Sequence, residues 1–254
     1  MTHQDFGCFV GGWPTHKVRH PSFDDLRTLH CRNNIGGGYV SATHTIFWND
    51  PYEAERDLAR DLWGQNAYRH VMTVNPTLPG TWDDLRRGEF PVAGIRIFPC
   101  FHGYSLTDDC VKPLWEFLLE KKLPLFLTPR MEDERTTYLF HPRLPDLKQA
   151  DAFLREVTGF PVLLCNVRDS ELPLLRECVL AREDVFCDTA GFKGGLFLLD
   201  EFYAQGLTER VVFGSLSPVH CLRSTLLTIE TAAIPDAEKE RILSGERFLN
   251  VLAR

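Results

Sequence analysis

The chain has 254 residues, 44% of them apolar, and a formal charge of −7, with a pI of about 5.7. A net acidic chain lacks the basic face with which nucleic-acid binders neutralise phosphates, so no nucleic-acid partner is expected. The opening "MTHQDFGCFVGG" has no basic segment leading into a long apolar run, and no stretch reaches 18 apolar residues, so neither a secretory signal nor a membrane span is expected.

Eight short apolar runs follow one another: "DFGCFV" (5–10), "GGYVSAT" (37–43), "RHVMTV" (69–74), "AGIRIF" (93–98), "PLFLT" (124–128), "PVLLCNV" (161–167), "DVFCDTA" (184–190) and "RVVFGS" (210–215). Most lack clean alternation, as strands covered on both faces do. Helical patterns lie between them. "SFDDLRTLHCRN" opens on Ser22 as N-cap, and "DPYEAERDLARDLWGQN" has Asp50 as cap with Pro51 at the first helical position. "TWDDLRRG", "TDDCVKPLWEFLLEKK", "LPDLKQADAFLREVTG", "SELPLLRECVLAR", "GGLFLLDEFYAQG" and "SPVHCLRSTLLTIETAA" come next, and a last helix runs from about Pro235 to Leu252. Eight strand–helix units predict one domain over 1–254, a closed (β/α)8 TIM barrel with an additional C-terminal helix. An open doubly wound sheet is the alternative, but no Gly-rich phosphate loop follows a strand. "GGGY" at 36–39 runs into a strand and reads as a tight turn.

The cysteines, Cys8, Cys31, Cys100, Cys110, Cys165, Cys178, Cys187 and Cys221, are solitary. Without a CxxC pair they read as reduced, mostly buried thiols of a cytoplasmic protein.

Barrel chemistry gathers at the C-terminal strand ends and the loops beyond them. Trp13, His16 and Lys17 follow the first run, His44 the second and Asn75 the third. The fourth contains Arg96 and leads into "PCFHGYSL", with His102 and Tyr104. The fifth leads into "PRMEDERTT", with Arg130, Glu132, Asp133, Glu134 and Arg135. Cys165, Asn166, Arg168 and Asp169 belong to the sixth, Asp188 ends the seventh, and Ser215, Ser217 and His220 follow the eighth. His102 suits proton transfer near neutrality, and Tyr104 could orient it or hold an oxyanion; the plain alternative makes both of them packing groups. Arg96 lies within an apolar strand, where an unpaired guanidinium is costly. It therefore needs a carboxylate, for which Asp188 is the candidate, or an anionic ligand. Arg130 and Glu132 are the members of the charged cluster nearest the strand end, and the rest read as an ion-pair network. Cys165 reads as an inert thiol. The candidate set is therefore His102, Tyr104, Glu132 and Asp188 for catalysis, with Arg96, Arg130, Trp13 and Asn166 around a small, carboxylate-bearing anion.

"DFGCFVGGWP", "GIRIFPCFHGYSLTDD", "LPLFLTPRMEDER", "RVVFGSLSP" and "ERILSGERFLNVL" occur in the order and spacing of the amidohydrolase-related group of the metal-dependent hydrolases, and the chain resembles that group nearly end to end. The resemblance implies a distorted (β/α)8 barrel. It also implies a metal held by His-x-His on strand one, histidines ending strands five and six, and an aspartate ending strand eight. This chain has Gly7, Phe9, Thr128, Cys165 and Leu216 at those places, too few donors for a catalytic zinc. A divergent branch without the metal site, with no zinc or iron and no cofactor, is the expectation; any metal would have to bind elsewhere. The group includes a pyrone-dicarboxylate lactonase that works without metal through arginines and a water-activating carboxylate. Two readings stay open: a metal-independent hydrolase or lyase, and a non-catalytic small-molecule-binding barrel. A mouth plugged by Trp13, Phe9 or Phe101 favours the second. Self-association is left open.

Overall fold

A computed structural model describes residues 2–15, 17–132, 143, 146–194 and 197–254. Eight strands, β1 (His3–Val10), β2 (Ile35–Ala42), β3 (Tyr68–Thr73), β4 (Gly94–Ile97), β5 (Leu125–Leu127), β6 (Val162–Leu164), β7 (Val185–Asp188) and β8 (Val211–Val212), pair in sequence order. Every pair is parallel. The ring closes through three backbone hydrogen bonds: the Phe6 N–H donates to the Phe213 carbonyl (2.9 Å), that of Leu216 to Gly7 (2.7 Å) and that of Phe9 to Ser217 (2.7 Å). The TIM barrel anticipated from the eight apolar runs is therefore the architecture observed.

The helices are α1 (Phe23–Arg32), α2 (Tyr52–Asp61), α3 (Thr81–Arg87), α4 (Pro99–His102), α5 (Lys112–Lys121), α6 (Leu147–Glu156), α7 (Arg176–Ala181), α8 (Leu198–Ala204), α9 (Leu222–Glu230), α10 (Asp236–Ser244) and α11 (Glu246–Leu252). Ser22 caps α1 in a capping box with Asp25, as its position before the apolar pattern predicts. α2 is bounded one residue later than expected, with Pro51 before its first residue, yet Pro51 is already helical and the Asp50 carboxylate accepts the Tyr52 N–H as a capping group does. The expected single C-terminal helix is two. Gly245 breaks it in a left-handed conformation (φ 64°), where any Cβ would also lie 2.1 Å from the Phe6 ring, so only glycine meets both demands. Among the described residues no helix is long and apolar enough to cross a membrane.

That break swings α11 beneath the barrel. Phe6, Tyr39, Val71, Phe126, Leu163, Cys165, Phe186 and Val212 form a buried cluster on seven strands, and Phe248 of α11 joins it. The Phe248 ring packs edge-on to Phe6 at 5.5 Å and tilted against Phe186 at 5.1 Å. Phe6 stacks on Tyr39 (4.9 Å) and Tyr39 on Phe126 (5.8 Å). The lower barrel is thus solid, and burying one such ring is worth about 1.5–3 kcal/mol. Polar groups inside the barrel are left to its upper half.

Candidate functional site at the barrel axis

Arg96 is wholly buried. β4 pairs its backbone with Phe126 of β5, and its guanidinium lies over the Phe126 ring (5.2 Å) and the Phe9 ring (4.6 Å). Its Nε donates to Ser41 Oγ (2.9 Å) and an Nη to Thr128 Oγ1 (3.0 Å). The other Nη has no hydrogen bond. Among the described residues no carboxylate lies within ion-pairing distance, so the expected Arg96–Asp188 pair does not form. Two ring faces attract a cation by their quadrupoles, but neither they nor two hydroxyls neutralise a full buried charge.

Asp188, at the end of β7, is also wholly buried. Its Oδ1 accepts the N–H groups of Asn166 (2.8 Å) and Ala190 (3.1 Å), while Oδ2 has no hydrogen bond. Side chains at Gly7 or Gly214 would come within 2.8 Å of Oδ2, so two glycines make its room. Burial pushes this carboxyl up to about 7, against its two backbone hydrogen bonds and the lowering field of Arg96. Near neutrality it is therefore part protonated, part ionised. Cys165, between these groups in the same wall, is pushed up to about 12, chiefly by burial, and stays a thiol.

The remaining candidates do not converge on this pair. Arg130 is nearly buried and makes a bidentate pair with Glu171 (2.6 and 2.7 Å), with a further bond to the Asn166 carbonyl. Asn166, left-handed at φ 53°, returns its side-chain amide to the Arg130 carbonyl (3.0 Å). The two arginines expected to share one anion thus have separate surroundings. Glu132 accepts the Trp13 indole N–H (2.9 Å) and the Thr15 hydroxyl (3.3 Å), tying the β5 loop to the β1 loop. His102, the last residue of α4, faces the Ile46 carbonyl through Nε2 (3.0 Å), which fixes the Nε2–H tautomer. Burial pushes it down to about 4, so it is neutral at pH 7 and too weak a base for the proton-transfer role expected of it there. The Tyr104 hydroxyl is buried without a partner and lines a cavity of about 220 Å³ between Leu127, Leu164, Gln149 and Glu171. His16, Asp133, Glu134 and Arg135 lie outside the described residues.

Above Arg96 the mouth is apolar. Phe9, Phe98, Met131 and Leu216 are fully buried and pack with Trp13, Val18, Ile46 and Ala190, with Phe101 against them. The sequence did single out Arg96 and Asp188, but not Ser41, Thr128, Phe126 or Glu171. Ser41 and Thr128 could have been found by following the inward wall face from Arg96, two strands back to β2 and one strand on to the end of β5. Glu171 carried no local signal, because its loop folds back across 41 residues to Arg130.

No family model and no curated protein matches the chain. Solved structures do, at low identity. A putative amidohydrolase from Staphylococcus aureus matches with 11% identity and a TM-score of 0.71 over 100% of both chains. A dihydroxybenzoic acid decarboxylase from Polaromonas with bound manganese and 2-nitroresorcinol matches with 14% identity and a TM-score of 0.68, over 91% of this chain and 86% of that one. A probable 2-pyrone-4,6-dicarboxylic acid hydrolase from Acinetobacter baumannii, with citric acid bound, gives 10% and 0.66 over 100% of both. The chain has the TIM-barrel fold of these amidohydrolases and decarboxylases.

The manganese in one of them makes the axis a place to test for metal fit. Among the described residues the axis offers one carboxylate, Asp188, and one protonated thiol, Cys165. A guanidinium already sits against Phe9 and Thr128, two of the places where the resemblance puts ligands. A catalytic zinc takes three N, O or S ligands from the protein, and a fixed cation repels a second one. The described axial residues thus supply fewer donors than such a zinc site takes.

Proposed function

We propose that the protein is a metal-independent hydrolase or lyase acting on a small carboxylate at the barrel axis, with Arg96 as its anion anchor and Asp188 as its acid/base. One observation carries this reading: Arg96 is a fully buried arginine with a free Nη and no carboxylate partner among the described residues. Its natural counter-charge is a ligand carboxylate, which a guanidinium binds through paired hydrogen bonds. Asp188 supports the chemistry, since a carboxyl near 7 with one bare oxygen exchanges protons close to the working pH. Fixed cationic donors stabilise developing negative charge as a metal does elsewhere. That fold neighbours are named for acting on a dihydroxybenzoic acid and a pyrone dicarboxylic acid agrees with a carboxylate ligand. Arg130 is a brace for the loop rather than a second anchor, so a single carboxylate is the recognised group.

A second reading, a binding barrel without catalysis, is favoured by the apolar plug of Phe9, Trp13, Phe98, Met131 and Leu216. Thermal shift with a panel of mono-, di- and tricarboxylates tests both. At least one should stabilise the wild type and lose its effect in Arg96→Met. No stabilisation, or an equal response in Arg96→Met, sinks the anion site. A stabilising carboxylate recovered unchanged after long incubation decides for binding alone.

A further inference from the structure

On the outer side of the barrel wall, away from the axis, Asp5, Cys8 and His30 meet. All three are fully buried, and a ligand atom from each lies within 4.8 Å of the other two. We propose that this cluster is a structural site for one zinc-like divalent ion, clamping β1 to α1 at the seam where the barrel closes.

The donor set is the first argument. Thiolate, imidazole and carboxylate together suit zinc and its cobalt analogue better than magnesium or calcium, which seek oxygen alone. The His30 Nε2 and Asp5 Oδ2 are 3.3 Å apart. Two ligands about 2.0–2.1 Å from one zinc at a tetrahedral angle stand about that far apart. Nε2 makes no well-formed hydrogen bond despite its complete burial, and Asp5 is the group it faces.

The surroundings are those of an oriented ligand shell. The other nitrogen of His30, Nδ1, faces the Tyr68 hydroxyl at 3.2 Å, the kind of outer contact that fixes a metal-bound imidazole. Asp5 is held in place through Oδ1 by the N–H groups of Gly7 and Ser215 (3.0 Å each), and through Oδ2 by the Ser215 hydroxyl (2.5 Å). Gly38 makes room for the Cys8 sulfur, since a side chain there would lie 2.8 Å from it; the thiol itself points at the Tyr39 and Asp5 carbonyls (3.4 and 3.7 Å). Three protein donors leave one position for a water or a carbonyl.

Charge balance is the second argument. Among the described residues the one cation-forming group paired with the buried Asp5 is His30, and no arginine or lysine joins it. Burial and the Asp5 charge hold the Cys8 thiol well above its usual range, so a dication would have to displace its proton, after which the two anionic ligands balance the ion. Binding releases one proton, from the Cys8 thiol. Because Ser215 follows β8, the ion would brace β1, α1 and the closing strand together. The expectation of a protein free of zinc rested on the strand ends around the axis, and this cluster lies on the opposite face of the wall.

The test uses the full chain in a Cys31→Ser/Cys221→Ser background, which removes the two exposed thiols. Chelator-treated protein is titrated with cobalt(II) and, separately, with zinc(II). A sulfur-to-cobalt charge-transfer band saturating at one equivalent is expected, together with a Tm that climbs with zinc concentration. Both should disappear in Cys8→Ser and survive in Cys165→Ser. His30→Gln, which can still hydrogen-bond Tyr68, is the second probe if Cys8→Ser folds poorly, and should likewise lose the band. No charge-transfer band in the parent, or the same band in both Cys8→Ser and His30→Gln, overturns the site.

Discussion

Arg96 and Arg130 come from neighbouring strand ends, yet the barrel treats their charges in opposite ways. Arg130 lies in a loop, and a second loop brings Glu171 to it with paired bonds of 2.6 and 2.7 Å. Arg96 lies in the wall, where only fixed register positions can reach it. Those positions supply two hydroxyls and two phenyl rings, and among the described residues no carboxylate. A loop can be recruited to satisfy a charge, whereas a strand interior takes what its neighbours present. An unsatisfied charge in the wall is therefore informative, and a satisfied one in a loop is ordinary architecture. The variants below probe that contrast, from the largest expected effect to the smallest.

Asp188 gives the largest. Its folded value of about 7 lies above the ordinary 3.8, so the native state binds the proton more tightly than the unfolded chain. The stability it contributes is complete below about pH 4 and is lost as pH rises through about 7, a swing of roughly 4 kcal/mol. In Asp188→Asn the amide oxygen can keep the Asn166 and Ala190 hydrogen bonds, and there is nothing to ionise. The slope of stability against pH between 5 and 8 should flatten, with the variant the more stable of the two at pH 8. Urea midpoints at both pH values check this; parallel slopes for wild type and variant would mean that Asp188 does not titrate there.

Arg130→Met comes next. Burial alone would raise the Glu171 carboxyl, but the hydrogen bonds from Arg130 and the Arg168 N–H prevail and hold it below its usual value. Removing Arg130 leaves that carboxylate in a nearly enclosed place (14% exposed). Breaking a buried pair on one side costs about 3–5 kcal/mol, and the residual exposure puts this one near the lower end. Chemical unfolding at pH 7 measures it, and a loss under about 1 kcal/mol would reduce the pair to surface value.

The barrel was legible because its strands are short apolar runs between helical patterns, and that alternation survives without any knowledge of partners. Arg96 was legible for a related reason: a charge inside "GIRIF" violates the pattern around it. What the sequence hid was pairing across distance. Nothing in "SELPLL" marks Glu171 as the partner of Arg130, and nothing in "PCFHGYSL" says that α4 will turn His102 toward Ile46 instead of the axis. The Asp5–Cys8–His30 cluster was hidden likewise, because β1 carries a register irregularity between Asp5 and Cys8. Simple alternation puts these two residues on opposite faces; the irregularity brings them together.

His102 should show a smaller effect of opposite sign to Asp188. Burial holds it at about 4 against an ordinary 6.5, so its contribution is present above about pH 6.5 and is lost as pH falls toward 4. Allowing for its partial exposure, that is about 2 kcal/mol. His102→Gln can keep a donor for the Ile46 carbonyl and removes the titration. Its acid limb should be shallower than that of the wild type in thermal melts between pH 4 and 7. An unchanged limb would place the acid sensitivity elsewhere.

The smallest change in stability is expected where the chemistry is most concentrated. Arg96→Met keeps an unbranched stem between the Phe9 and Phe126 rings. It forfeits two hydrogen bonds and two cation–ring contacts, together worth a few kcal/mol at most. It also removes a buried charge that has no carboxylate partner among the described residues, and the relief of that desolvation acts the other way. Ser41 is not orphaned, since its hydroxyl also donates to the Val71 carbonyl (2.7 Å). The terms nearly cancel, and the stability of Arg96→Met should lie within about 1 kcal/mol of wild type, in contrast to Arg130→Met. Side-by-side unfolding of the two variants in carboxylate-free buffer measures the gap. If Arg96→Met is destabilised as much as Arg130→Met, Arg96 is an ordinary structural arginine and the axis does not hold a charge in reserve for a ligand.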